Sequence, residues 1–282
     1  MQGSFHLGSS PLRILCALCV SALFVPLFAQ SPDLRVAAAS DLQFVMPALA
    51  QQFGKQSHVQ LTVSYGSSGN FFSQIQNGAP FDLFFSADID YPRKLDAAGF
   101  CEPGTLYEYA LGKIVIWAPK DSQLDVASRG WQALLDPRAQ RIAIANPAHA
   151  PYGRAAVAAL KNAGIYAQVQ SKLVYGENIS QTAQFVQSGS AQVGIVALSL
   201  ALSPPMQSGQ RWKIPADLYP ALVQGAVVLK SSRQKAGAKA FLDFIKSAAG
   251  RQILETYGFQ EPAPDESSQG TAVPVPRSGG TQ

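Results

Sequence analysis

Strand-like and helix-like runs alternate along this 282-residue chain from residue 33 to residue 260. Strands are expected at 34–38, 59–64, 81–85, 113–118, 141–145, 172–175, 192–197 and 222–229. Helices are expected at 44–53, 70–77, 89–98, 130–135, 153–163, 178–188, 233–247 and 249–257. Alternation with short connections leaves few packing solutions. It predicts an α/β fold with mixed, largely parallel sheets and helices layered on them. Several strands are apolar throughout, as in Ile114-Val115-Ile116-Trp117 and Gly194-Ile195-Val196-Ala197, the pattern of strands covered on both faces. In helix 233–247 the residues Ala236, Ala240, Phe241, Phe244 and Ile245 form an apolar stripe for core packing.

The connections carry the chemistry. Ala37-Ala38-Ala39-Ser40-Asp41 and Tyr65-Gly66-Ser67-Ser68-Gly69-Asn70 each follow a strand and open a helix. Small hydroxyl residues at such a point combine side-chain donors with backbone N–H groups that lack helical acceptors, an uncharged socket for an anion. Asn146-Pro147-Ala148-His149-Ala150-Pro151-Tyr152-Gly153 and Tyr175-Gly176-Glu177-Asn178-Ile179-Ser180 are turns of the same kind in the second half. Any one of them alone reads better as an ordinary helix cap. Four together point to a shared ligand.

The two ends read differently. Arg13 is the only charged residue before position 30, and an apolar run over 14–28 ends at Ala29, before Gln30-Ser31-Pro32. This predicts a cleaved signal peptide over 1–29 and export to the periplasm. The run is short for a membrane span, and no later segment holds 18 consecutive apolar residues. Cys16 and Cys19 fall inside the signal without the small preceding residue of a lipid-attachment site, which leaves Cys101 as the one mature cysteine. Residues 261–282 are rich in Pro, Ser, Gly and Thr and are expected to be a disordered tail. Loss of Arg13 leaves 21 basic residues against 18 acidic ones, a net +3. That mild, scattered charge argues against nucleic-acid binding.

Catalytic chemistry is poorly supported. The mature chain holds two histidines, His58 and His149, with no metal-ligand spacing. Gly66-Ser67-Ser68-Gly69 does not match the G-x-S-x-G nucleophile turn, and there is no P-loop or dinucleotide fingerprint. An exported serine hydrolase using Ser68 with His149 is the enzyme alternative. A receptor for another solute, such as sulfate, phosphate or an organic acid, is the binding alternative.

Ala37-Ala38-Ala39-Ser40, Gly66-Ser67-Ser68-Gly69, the run from Gly78-Ala79-Pro80 through Ser86-Ala87-Asp88, Asn146-Pro147 with Pro151-Tyr152-Gly153, Gly194-Ile195-Val196 and Tyr257-Gly258-Phe259 resemble the periplasmic molybdate-binding proteins of ABC importers, type II solute-binding proteins. The resemblance runs from about Leu34 to Phe259. It implies a two-lobed periplasmic-binding-protein fold with a ligand cleft between the lobes. Lobe 1 would gather 31–109 with 225–260, and lobe 2 would be 110–224. It further implies a non-enzymatic protein, a monomer with no cofactor, that captures molybdate or tungstate and delivers it to a membrane permease. Ser40 and Ser68 would bind the oxyanion from lobe 1, Tyr152 and the Ile179 N–H from lobe 2, with Asp41 and Ala197 as further candidates. The metal would be reached only through its oxo oxygens, by those same residues. Some relatives carry a Tyr where this chain has Ala197, and Tyr152 would supply the phenol instead. Asp41 beside a dianion would repel it unless turned away. Pro47 implies that the first helix starts later than Ser40.

Overall fold

Two five-stranded sheets carry the fold. The computed structural model describes residues 33–57 and 59–262. The expected signal peptide, His58 and the tail beyond Pro262 lie outside them. The chain starts in the first sheet with β1 (Leu34–Ala39), α1 (Val45–Ser57), β2 (Leu61–Gly66), α2 (Ser68–Gln76), β3 (Leu83–Ser86), α3 (Asp90–Ala97) and β4 (Tyr107–Gly112). It then enters the second sheet through β5 (Ile114–Ala118), α4 (Val126–Arg129), α5 (Trp131–Leu135), β6 (Ile142–Ala145), α6 (Pro151–Asn162) and α7 (Tyr166–Val169). β7 (Leu173–Gly176), α8 (Ile179–Gln187), β8 (Val193–Ala197), α9 (Leu198–Ala201) and β9 (Gln210–Lys213) complete that half. The chain returns through β10 (Leu222–Val228), α10 (Lys235–Lys246) and α11 (Ala248–Thr256).

The sheet orders are β2-β1-β3-β10-β4 and β7-β6-β8-β5-β9. Pairing is parallel among β2, β1 and β3 and among β7, β6 and β8. It is antiparallel wherever β4, β5, β9 or β10 takes part. The sheets are thus more evenly mixed than the alternation alone suggests. The reason is topological: β4 and β10 run between the halves in opposite directions, so they cannot both be parallel to their neighbours.

The apolar strands are covered on both faces, as expected. On β1, Val36 and Ala38 pack against one layer with Phe85, Phe241 and Phe244, while Ala37 packs on the other face with Phe84, Phe71 and Leu95. Phe84 and Phe85 are neighbours in sequence and face opposite layers, which is the period-two geometry of a strand. Each such side chain, removed from water, contributes roughly 1.5–3 kcal/mol. On α10 the buried stripe is Ala238, Phe241, Leu242, Phe244 and Ile245. Ala236 and Ala240, expected inside, are exposed.

Two strands escape a reading by local pattern. β9 is a polar edge strand, Gln-Arg-Trp-Lys, with no fully buried residue. β4 pairs with β10 across a register shift at Gln224/Gly225, and its Leu111 forms an antiparallel bridge to Gln260. Pro47 sits in the first turn of α1, where its missing N–H would have no helical acceptor anyway. The delayed start expected from it is observed: Ser40–Leu42 form a separate 3-10 turn. The Gly78–Asp88 run has a structural role. The Asp82 carboxylate accepts from the Arg35 N–H at 2.8 Å and from Ser232 Oγ at 2.7 Å, clamping the N-terminal end of β1.

Candidate functional site

The carboxyl ends of β1, β2, β6 and β7 meet between the two sheets, as open α/β sheets place their ligand crevices. A void of about 10 Å³ lies there, lined by Ser40, Asp41, Ser68, Tyr152 and Ile179 among others. Organic-ligand pockets run to roughly 300–1,000 Å³, so the occupant of this cleft is small. No Lys, Arg or His is among the residues lining it. A larger hollow of about 740 Å³ lies by Arg35, Phe81, Lys230 and Arg233, at the opposite end of β1.

Each expected site residue has a definite place. Ser40, in the 3-10 turn after β1, is buried; its Oγ donates to Asn178 Oδ1 at 3.1 Å and accepts from the Ser180 N–H at 3.3 Å. Ser68 is the first residue of α2 and fully buried, and its Oγ accepts from the Ala87 N–H at 2.9 Å. Accepting there leaves the Ser68 proton to be donated elsewhere. Tyr152 is the second residue of α6, and Ile179 the first of α8. The Ile179 N–H therefore has no acceptor inside its own helix. Three helix N-termini thus reach one void, each with the partial positive charge that favours an anion. Ala197 does not join them. It is completely buried at the end of β8, paired with Ile114, and is absent from the lining.

Asp41 is part of the wall. Its Oδ2 accepts from the Tyr152 hydroxyl at 2.8 Å and from Gln224 Nε2 at 2.5 Å. Gln224 is held in turn by the Tyr109 hydroxyl, which donates to Oε1 at 2.5 Å. Burial pushes the Asp41 carboxyl up to about 6, against the pull of its hydrogen bonds to Gln224 and Tyr152. Burial also raises the Tyr152 and Tyr109 phenols well above their usual range, and the nearby Asp41 charge adds to it.

The walls are tied across the cleft. The Gly69 N–H donates to the His149 carbonyl at 3.0 Å, and Ser67 Oγ lies 3.0 Å from His149 Nδ1. Ser180 Oγ donates to Gln43, and Arg154 Nη2 meets Asp88 Oδ2 at 2.5 Å. His149 is therefore part of the closure. The hydrolase pairing of Ser68 with His149 is not formed. The serine beside His149 is Ser67, and Ser68 is bonded to the backbone of Ala87.

Gln224, Tyr109 and Asn178 were not expected at the site. Asn178 carries a readable signal, an Asn two residues before Ser180, and it caps α8 through its side chain. Gln224 and Tyr109 lie in β10 and β4, where nothing in the local pattern marks a polar network.

A family model described as bacterial extracellular solute-binding protein matches residues 34–260. The molybdate-binding protein ModA of Azotobacter vinelandii is 38% identical over 233 residues, covering 82% of this chain and 91% of that protein. ModA of Rhodobacter capsulatus is 38% identical over 226 residues, 79% of this chain and 87% of that one. The solved periplasmic molybdate-binding protein of A. vinelandii superposes with a TM-score of 0.77 at 35% identity, covering 82% of this chain and all of that one. Its matched span, its two-lobed fold and its closed inter-lobe cleft make this chain a member of the bacterial extracellular solute-binding protein family, a binding protein and not an enzyme.

Proposed function

We propose that this protein captures molybdate, and tungstate equally, in the periplasm and delivers it to the membrane permease of an ABC importer. The observation that carries this reading is the uncharged donor set on one small inter-lobe void, the Ser40 and Ser68 hydroxyls with the helix-opening N–H groups of Tyr152 and Ile179, the Tyr152 phenol proton being spent on Asp41, in a chain 38% identical to two molybdate-binding proteins. A diffuse dianion is costly to desolvate. Neutral donors and helix N-termini offset that cost at roughly 1.5–3 kcal/mol per hydrogen bond to a charged partner, without burying a cation. Fixed donors select by size: a smaller tetrahedral anion leaves some of them unpaired and is rejected. The two lobes, 31–109 with 225–260 and 110–224, would pivot about β4 and β10, where these boundaries fall. Export by the 1–29 signal and action as a monomer complete the reading.

Calorimetric titration of the mature protein tests it. One molybdate or tungstate per chain is expected, with sulfate and phosphate much weaker. Sulfate binding as tight as molybdate would overturn the assignment and favour a sulfate receptor.

A further inference from the structure

Asp41 is the charged side chain lining the inter-lobe void, and it is 1% exposed. Its hydrogen-bond polarity can be followed proton by proton. The Tyr109 hydroxyl donates to Gln224 Oε1, so Gln224 presents its amide N–H groups to Asp41 Oδ2 and to the Tyr152 oxygen, the latter at 3.0 Å. The Tyr152 oxygen is thereby an acceptor from Gln224, and its single proton goes to Asp41 Oδ2. Oδ2 is thus filled by two donors. Oδ1 is buried and has no hydrogen-bond partner among the described residues.

Among the described residues no cation compensates this carboxyl. From α6 it faces Tyr152, from β10 Gln224, from β4 Tyr109, and from α9 the Ser199 hydroxyl, which donates to the Asp41 carbonyl at 2.8 Å. Tyr219 lies close enough to Tyr152 to affect its phenol. A dianion in the same void would set two negative charges against a third in a water-poor space, a strongly repulsive arrangement.

Building on the molybdate reading, we propose that one proton enters the cleft with each dianion and is held between Asp41 Oδ1 and an oxo oxygen of the bound anion. The proton is given up by the buffer acid in solution, which leaves as its conjugate base, and no bond within the anion breaks. It gives Oδ1 the partner it lacks and removes the repulsion in one step. A proton carried in by the anion itself leads to the same bound state and the same count. The raised carboxyl agrees with this, since Asp41 is already inclined to bind a proton before the anion adds its field.

Linkage then makes affinity depend on pH. Above the titration of free Asp41, the Kd for molybdate should rise about tenfold per pH unit, and below it the Kd should level off. Micromolar molybdate titrated into the mature protein at pH 8, in two buffers of different ionisation enthalpy, counts the protons. About one proton taken up per molybdate, with a Kd about tenfold weaker at pH 8 than at pH 7, is the expected result. Asp41→Asn supplies a permanent amide donor in place of the proton. It should tighten molybdate binding at pH 8 by about tenfold or more and abolish both proton uptake and the pH slope. Tight wild-type binding with no proton uptake and a flat Kd would overturn the proposal, as would an Asp41→Asn protein that keeps the wild-type slope. If that variant fails to fold, the wild-type proton count decides alone. Failure of the wild type to bind molybdate at any pH would instead defeat the functional reading on which the proposal rests.

Discussion

Asn70 in α2 donates its side-chain N–H to Glu177, 107 residues further along the chain and on the facing lobe, at 2.7 Å. Glu177 Oε2 also lies 3.6 Å from His149 Nε2, so one carboxylate touches both rims of the cleft. The Arg154–Asp88 pair closes the same mouth from another side. All four side chains of these two pairs keep some contact with water. Such pairs contribute roughly 0–1 kcal/mol each, enough to hold a loaded cleft shut longer without locking an empty one.

Glu177→Ala should therefore act on release. A rise in Kd of roughly two- to fivefold is expected, carried mainly by a faster dissociation rate. Stopped-flow measurement of molybdate association and dissociation separates the two. An unchanged dissociation rate with a slower association rate would show that the rim contact forms before the anion is held.

Two glycines separate closure from folding. A Cβ on Gly69 would come within 2.7 Å of the His149 carbonyl and 2.9 Å of the Tyr91 hydroxyl, both across or beside the cleft. A Cβ on Gly153 would lie 2.1 Å from the Ala145 carbonyl, inside one lobe. Overpacking of this kind costs about 1–3 kcal/mol. Gly69→Ala should weaken molybdate binding by roughly 5- to 150-fold and leave the melting temperature of the ligand-free protein nearly unchanged. Gly153→Ala should lower that melting temperature outright. Parallel calorimetry and thermal melts check both, and a Gly69→Ala protein that binds normally would show that the cleft need not close this far.

The strand-then-helix alternation was legible because each apolar run is local, and so were the four turns, since Ser, Tyr and Pro at a helix start announce themselves. Long-range pairing was not. Gln224 meets Asp41 across 183 residues and Tyr109 meets Gln224 across 115, and no local pattern encodes which polar residue of one strand will face a turn elsewhere. Ala197 misled for a related reason. Its place at a strand end is visible in sequence, but whether that end opens on the cleft or into the second core depends on the sheet order. The Asp41 charge was visible beside Ser40, whereas the division of labour between its two oxygens needed three-dimensional proton bookkeeping.

Ser40 and Ser68 should differ in what they lose. Both Ser→Ala changes remove a hydroxyl that the anion can use, Ser40 by turning its proton from Asn178 to the anion, and should weaken molybdate binding by roughly 10- to 150-fold. Only Ser68 also satisfies a buried backbone N–H, that of Ala87 within its own lobe. Its loss should cost about 1–3 kcal/mol of ligand-free stability. Ser40 Oγ reaches across to Asn178 and the Ser180 N–H, groups that water can serve once the cleft opens. Chemical denaturation without ligand tests this, and equal stability of the two variants would contradict it.

Cys101 should be chemically silent. It is buried, and burial, with the nearby Asp96 charge adding to it, pushes its thiol up to about 12. At pH 8 almost none of it is thiolate, the reactive form. An aromatic disulfide reagent should label the native protein far more slowly than the protein in denaturant, and equal rates would mean that the 101 region opens freely.

The ligand-free stability curve should carry the mark of Asp41. Its folded carboxyl titrates at about 6, raised from 3.8 by burial. A raised value means that the fold prefers the protonated form. The stabilising contribution is therefore fully present below 3.8 and is lost as pH rises through 6. Glu102 runs the other way. Hydrogen bonds from Lys235 and then Lys239 hold its carboxyl down at about 2, so its contribution is present above 4.5 and is lost as pH falls toward 2. Asp136 is also held low, by Arg138 and then Arg129, and adds to that acid limb. Replacing Asp41 with Asn removes only the alkaline penalty. The amide oxygen can still accept from Tyr152 and Gln224, while its N–H2 takes the place of the unpartnered Oδ1 without a charge. Ligand-free Asp41→Asn should melt higher than wild type at pH 8, by at most roughly 6–12 °C for an upper bound near 3 kcal/mol. The gain should shrink to nothing by about pH 4, where wild-type Asp41 is already protonated in the folded state. Scanning calorimetry at the two pH values reads the difference. A variant less stable than wild type at pH 8 would mean that the hydrogen bonds from Gln224, Tyr152 and the Asp41 and Leu42 N–H groups outweigh the cost of burying the charge.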